Sequence, residues 1–112
     1  MPSVEVTVWS TVVLEGWHRW PTAPDHRSYL RDRHRHLFNI TAHVAVSHDD
    51  RDVEFHDLRD LITVWWETER GAQSCEAIAQ ELHDHLTDNA KLTVTEVTVS
   101  EDGYDGATLR WS

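Results

Sequence analysis

Residues 31–43 read RDRHRHLFNITAH. Two histidines, His34 and His36, flank one arginine, and a run that looks like a strand follows. Side chains alternate between the faces of a strand, so residues two apart share a face, with Cβ atoms roughly 6–7 Å apart. With 36–47, HLFNITAHVAVS, read as a strand, the two imidazoles stand together at its start. The stretch is then either the hydrated edge of an ordinary sheet or half of a metal site.

Reading outward, residues 3–15, SVEVTVWSTVVLE, are rich in β-branched side chains. Val4, Val6 and Val8, then Val12 and Leu14, recur at every second position, as in a strand with one wet face. Residues 19–33 carry Pro21, Pro24 and many charges and read as a loop, and SHDDRD (47–52) reads as a turn. From Phe55 the period lengthens. Phe55, Leu58, Leu61, Ile62 and Trp65 follow helical spacing, which predicts a short amphipathic helix over 56–66. ETERGAQ is a linker. Ser74 is placed as an N-cap, with Glu76 in the first turn where a carboxylate favours the helix dipole. Cys75, Ile78, Ala79, Leu82 and Leu86 then form one apolar face, so a second helix runs to about 87. KLTVTEVTVS (91–100) alternates as a third strand, EDGYDG is a turn, and ATLRW (107–111) is a short last strand.

The expected order is β-β-α-α-β-β in a single domain over 1–112. Strands gathered around a helix pair predict an α+β fold, a four-stranded antiparallel sheet with two helices on one face. Such a sheet leaves its edges open, and open edges pair readily with another copy. A homo-oligomer built through its sheets is therefore expected.

The chain has 112 residues, enough for one modest core, and a formal net charge of -10. Lys91 is the only lysine, which argues against nucleic-acid backbone binding as the main task. Arg27, Arg31, Arg33 and Arg35 still cluster, leaving room for a local anion site. Cys75 is the only cysteine, so no intrachain disulfide forms and a reducing compartment fits. MPSVEVTVWS lacks the pattern of a signal peptide, and no apolar run approaches the roughly 20 residues of a membrane span. A soluble cytoplasmic protein that binds neither nucleic acid nor membrane is expected.

Zinc takes three or four donors in a tetrahedron, and a catalytic site leaves one position open. His18, in EGWHRWP at the end of the first strand, is the natural third partner of His34 and His36. In an antiparallel pair the end of one strand lies beside the start of the next.

In chain order, EGWHRW, HRHLFNITAHVAV, RDVEFHDLRDLI, QSCEAIAQELHDHL and VTVSEDGYDGATLRW form an ordered set of motifs. With them the chain resembles the 6-pyruvoyl-tetrahydropterin synthase and 6-carboxytetrahydropterin synthase family, which has the tunnelling fold. The resemblance covers nearly the whole chain. It implies a zinc ion on His18, His34 and His36, and a Glu101 carboxylate that grips a pterin ring by its N–H and amino groups. It further implies a dihydroneopterin triphosphate-type substrate or a related purine-like heterocycle, and trimers or stacked hexamers whose sheets join into a closed barrel.

Two family features are missing. No cysteine precedes the H-x-H motif in DHRSYLRDRHRH; counting back four residues reaches Leu30, and a two-residue insertion reaches Ser28. No Asp-His pair lies in TVWWETERGAQ. His26 and Ser28 are the candidate catalytic residues in their place, although serine without a strong base is a poor proton acceptor. Cys75 at a helix N-terminus could carry a stabilised thiolate, but its place on the apolar face favours a buried small residue. Trp66 could stack a flat ring, whereas Trp65 fits the helix core. The leading expectation is a zinc-dependent synthase-like enzyme, a lyase of this kind. The alternative is a zinc-containing pterin or purine-binding module without turnover, and a purely structural role is the third possibility.

Overall fold

Twelve residues of β1 (Thr7–His18) pair antiparallel with twelve of β2 (His34–Ala45), in register from Thr7 opposite Ala45 to His18 opposite His34. This ladder organises the computed structural model, which describes residues 4–112. A short 3-10 helix, Asp25–Leu30, links the two strands. Two helices follow, α1 (Phe55–Trp65) and α2 (Cys75–Asp88), and then β3 (Thr93–Glu101) and β4 (Asp105–Arg110). The strands lie in the order β1-β2-β3-β4, every neighbour antiparallel. The fold is α+β, a four-stranded antiparallel sheet with helices packed on it.

The boundaries move in ways that matter for function. β2 begins at His34, two residues earlier than expected, so both histidines lie inside the ladder. β1 runs on to His18, since Gly16 and Trp17 stay paired with His36 and Arg35. The expected start of that strand at residue 3 lies outside the described residues, and 4–6 precede the ladder. The loop over 19–33 contains the 3-10 helix. β4 begins at Asp105 because the turn is tight: Asp102 and Gly103 take φ +56° and +77°, the left-handed pair that suits a short hairpin.

Both helices cover one face of the sheet. Phe38, Ile40, Ala42 and Val44 of β2 are fully buried against Leu58 and Ile62 of α1 and Ile78, Leu82 and Leu86 of α2. Burying each large side chain contributes roughly 1.5–3 kcal/mol. Each helix has a side-chain cap at its start. Glu54 accepts from the amides of His56 and Asp57, and Ser74 accepts from that of Ala77. β3 reaches the core through an irregularity. Val44 pairs with Val94 but His43 with Glu96, leaving Thr95 as an extra residue. Val94 and Val97, three apart in sequence, therefore both point inward, as a bulge requires.

The other face carries no helix. Trp9, Val13 and Leu37 are exposed there, beside the hydroxyl pairs Thr11–Thr41 and Thr98–Thr108. No helix is long and apolar enough to cross a membrane among the described residues.

Candidate metal centre

On the helix-covered face, the core side chains of β2 run Val44, Ala42, Ile40, Phe38 and then His36 and His34. Their apolar character ends at Phe38, whose ring lies 5.2 Å from that of His18 and 5.6 Å from that of His36. His18 is the cross-strand partner of His34, and Gly16 stands opposite His36. A glycine is needed there, since a Cβ at residue 16 would sit 2.7 Å from Trp66 and 2.8 Å from Phe38.

The three imidazoles form a near-equilateral group, with ring centroids 4.5, 4.9 and 5.1 Å apart. One nitrogen from each lies within 4.8 Å of the others. All three rings are held the same way. His18 Nδ1 lies 2.8 Å from the carbonyl of Gln73, His34 Nδ1 2.8 Å from that of Asp32, and His36 Nδ1 2.8 Å from Asp102 Oδ2. Carbonyls and carboxylates only accept, so each Nδ1 carries the proton and donates it. In the neutral ring each Nε2 then keeps its lone pair. The Nε2 atoms of His18 and His36 are buried with no hydrogen-bond partner. Burial also pushes the His18 imidazolium down, so its neutral form, the form that ligates metal, is favoured. Three oriented imidazoles, two of them with an unpartnered buried Nε2, are a donor set that fits a metal ion.

The supports of these rings come from distant parts of the chain. Segment 67–73 runs beside the end of β1: Trp17 N donates to Thr68 O at 2.7 Å, and Arg19 N to Gly71 O at 2.8 Å. This places the Gln73 carbonyl over His18. Gln73 is held in turn by Glu81, which accepts from its amide and from buried Arg70, each at 2.6 Å. Arg70 also lies over Trp65 and Trp66, 5.0 and 4.8 Å from their ring centroids. Asp102 holds His36 with one oxygen and the amide of Leu37 with the other, both at 2.8 Å. Gln73, Asp32 and Asp102 were not among the residues singled out from the sequence, which shows no periodicity or spacing that links them to the histidines.

Glu101 ends β3 opposite Phe38 and faces the histidines. Its Oε1 lies 3.5 Å from His18 Nε2 and its Oε2 3.2 Å from His36 Nε2. The Cys75 thiol donates to Oε1 at 3.8 Å. Burial first, and then the charges of Glu101 and Glu76, push the Cys75 thiol up to about 12. Cys75 is therefore a neutral donor, and the helix N-terminus does not make it a thiolate. A cavity of about 350 Å³ opens beside the centre, lined by His18, Arg19, Ser74, Cys75, Glu101 and Asp105 among others.

The other candidates are placed apart. His26 and Ser28 are exposed on the 3-10 helix, and neither lines the cavity. Trp66 is fixed by donating its indole N–H to Glu15 O at 2.8 Å and by packing on Phe38, so it is engaged in structure. Arg31, Arg33 and Arg35 are each paired with a carboxylate, Asp25, Glu69 and Glu15 respectively.

No family model matches the chain, and no curated protein is similar to it. Among solved structures, an uncharacterized protein from Wolinella succinogenes is similar in fold, with a TM-score of 0.65 at 13% identity. The match covers 98% of this chain and 100% of that one.

Proposed function

We propose that this chain holds a zinc ion on His18, His34 and His36. On this reading it acts on a dihydroneopterin triphosphate-type pterin, or a related heterocycle, in the manner of a 6-pyruvoyl- or 6-carboxytetrahydropterin synthase. One observation carries the proposal. Three imidazoles, each with Nδ1 committed to an acceptor, bring one ring nitrogen apiece within 4.8 Å of one another, beside a cavity that His18 lines. An ordinary hydrated strand edge gives no reason for three such tethers.

Zinc bound there supplies Lewis acidity toward an oxygen on the side chain of the ligand. The protein's own groups do the rest. Gln73, Asp32 and Asp102 orient the imidazoles. Glu101 accepts hydrogen bonds from the amino and N–H edge of a ring in the cavity, a role that suits a carboxylate beside a guanidine-like edge. The subunits join through the open edges of β1 and β4 into the barrel of the tunnelling fold, as trimers or hexamers. The uncovered sheet face with Trp9, Val13 and Leu37 favours such burial. A cytoplasmic setting suits a chain with one unpaired thiol.

A second reading is favoured by the exposure of His26 and Ser28 and the neutral thiol of Cys75. No proton acceptor of the family's kind then stands at the centre, and the protein binds a pterin or purine-like ring without turnover.

Elemental analysis of the purified protein, beside the His34→Ala/His36→Ala variant, tests the metal. About one zinc per chain, lost in the variant, is the expected result. No metal in either protein after zinc loading would sink both readings. With zinc present, product formation from dihydroneopterin triphosphate selects the enzyme, and tight pterin binding without product selects the binding module. Light scattering tests the assembly, for which a clean monomer would exclude the barrel.

A further inference from the structure

We infer that Glu101 is the fourth protein ligand of the resting metal centre, closing the site that His18, His34 and His36 begin. This rests on the zinc reading above and changes its resting state: the fourth position belongs to the chain itself until a ligand takes the carboxylate away.

Geometry carries the inference. Ligands about 2.0–2.1 Å from one tetrahedral zinc stand roughly 3.3–3.4 Å from one another. Glu101 Oε1 lies 3.5 Å from His18 Nε2 and Oε2 3.2 Å from His36 Nε2, each close to that edge length, while His34 has no Glu101 oxygen within 4.0 Å and meets it only through a shared ion. Among the described residues, no other carboxylate oxygen comes within 4.0 Å of an Nε2 of the three histidines. Neither approach is a hydrogen bond, since both Nε2 atoms lack partners.

The Nδ1 tethers explain why the approach needs a cation. With each Nδ1 donating to a carbonyl or carboxylate, the neutral ring presents a lone pair at Nε2. A carboxylate oxygen facing that lone pair at this distance is repelled unless a cation, a metal ion or a proton on Nε2, stands between them. The surrounding chain nevertheless builds Glu101 into that place. The hairpin turn through Asp102 and Gly103 fixes its backbone, and the Cys75 thiol donates to its Oε1. The carboxylate is thus oriented from outside the way a ligating carboxylate is oriented by its outer partners. Glu101 also lines the cavity, so a ring whose amino edge draws the carboxylate outward opens the fourth position in the same movement.

The test compares wild type with Glu101→Gln in metal-affinity titrations of the full chain. Zinc is titrated against a competing chelator, and cobalt(II) is used as a spectroscopic probe of coordination. The expected result is that Glu101→Gln binds zinc about a hundredfold more weakly than wild type and shows an altered cobalt ligand-field spectrum. Equal affinity and an unchanged spectrum would overturn the Glu101 assignment and leave the three-histidine site standing. Failure of wild type itself to bind zinc or cobalt would overturn the zinc reading and this inference with it. A metal-minus-apo infrared difference spectrum of wild type needs no variant. Shifted carboxylate stretches are expected on zinc binding, and a flat carboxylate region would overturn the assignment even if Glu101→Gln fails to fold.

Discussion

Asp102 holds His36 by a hydrogen bond of 2.8 Å from Nδ1 to Oδ2, while its second oxygen accepts from the amide of Leu37 at 2.8 Å. The carboxylate is thereby held from two sides, and it fixes the imidazole with its far nitrogen 3.2 Å from Glu101 Oε2. Partners of this kind typically alter metal affinity by about 10–100-fold when removed. Asp102→Ala is expected to weaken zinc binding by that order, and Asp102→Asn, which keeps one carbonyl acceptor, by less. Chelator competition on the two variants checks the ranking, and equal affinities across wild type and both variants would remove Asp102 from the centre.

Gly16 is opposite His36 in the ladder, with the rings of Trp66 and Phe38 pressed against its Cα side. Overpacking a filled site costs about 1–3 kcal/mol. Gly16→Ala should therefore lower the unfolding free energy by an amount in that range, read as a lower urea midpoint with an unchanged slope. Because Phe38 touches His18 and His36, the same variant should also bind zinc more weakly. A fully wild-type unfolding curve would mean that Trp66 yields freely.

Acid stability has a definite sign. Hydrogen bonds from the Ser47 amide and hydroxyl hold the Asp52 carboxyl below its ordinary range. The His56 amide does the same for Glu54 at the start of α1. The unfolded chain then binds more protons than the folded one, so this stability is present above the unfolded carboxyl pKa of about 4 and is lost as the pH falls through the lower folded values. Melting temperature measured from pH 7 down to pH 3 in the presence of chelator should fall at the acid end. Asp52→Asn should flatten part of that limb, and an identical profile in the variant would contradict the assignment.

Cys75 should be chemically quiet in the folded protein. Its thiol is pushed up to about 12 and is almost fully buried, and the thiolate is the reactive form. Iodoacetamide at pH 8 should leave the native chain unlabelled and should modify Cys75 promptly once urea unfolds it. Labelling of the native protein at the rate of a free thiol would mean that this end of α2 opens readily.

The helices were legible because apolar spacing and caps act locally. Leu58, Ile62, Ile78, Leu82 and Leu86 are the core residues that the 3.6-residue period marks, and Ser74 caps α2 as its residue type implies. Strand limits were less legible, because a strand ends where its partner stops pairing. β2 starts at His34 rather than His36 because β1 continues to His18, and the bulge at Thr95 is visible only as a mismatch between β2 and β3. His26 and Ser28 stand near the H-x-H motif along the chain, and chain distance does not report that the 3-10 helix leaves both in solvent.

By itself, the sequence determined the two kinds of periodicity, the α+β class and the pairing of His34 with His36 on one strand face. Those features depend on neighbours a few residues apart and on the alternation of the backbone. Only the tertiary structure decided what the histidines face. The Gln73 carbonyl reaches His18 from 55 residues away, the Asp102 carboxylate reaches His36 from 66, and the Glu101 oxygens adjoin His36 from 65 and His18 from 83. Such contacts come from strand register, a left-handed hairpin turn and a linker laid along the end of β1. The direction of a lone pair is set by these long-range acceptors, so a spacing of two residues can propose a chelate but cannot orient one.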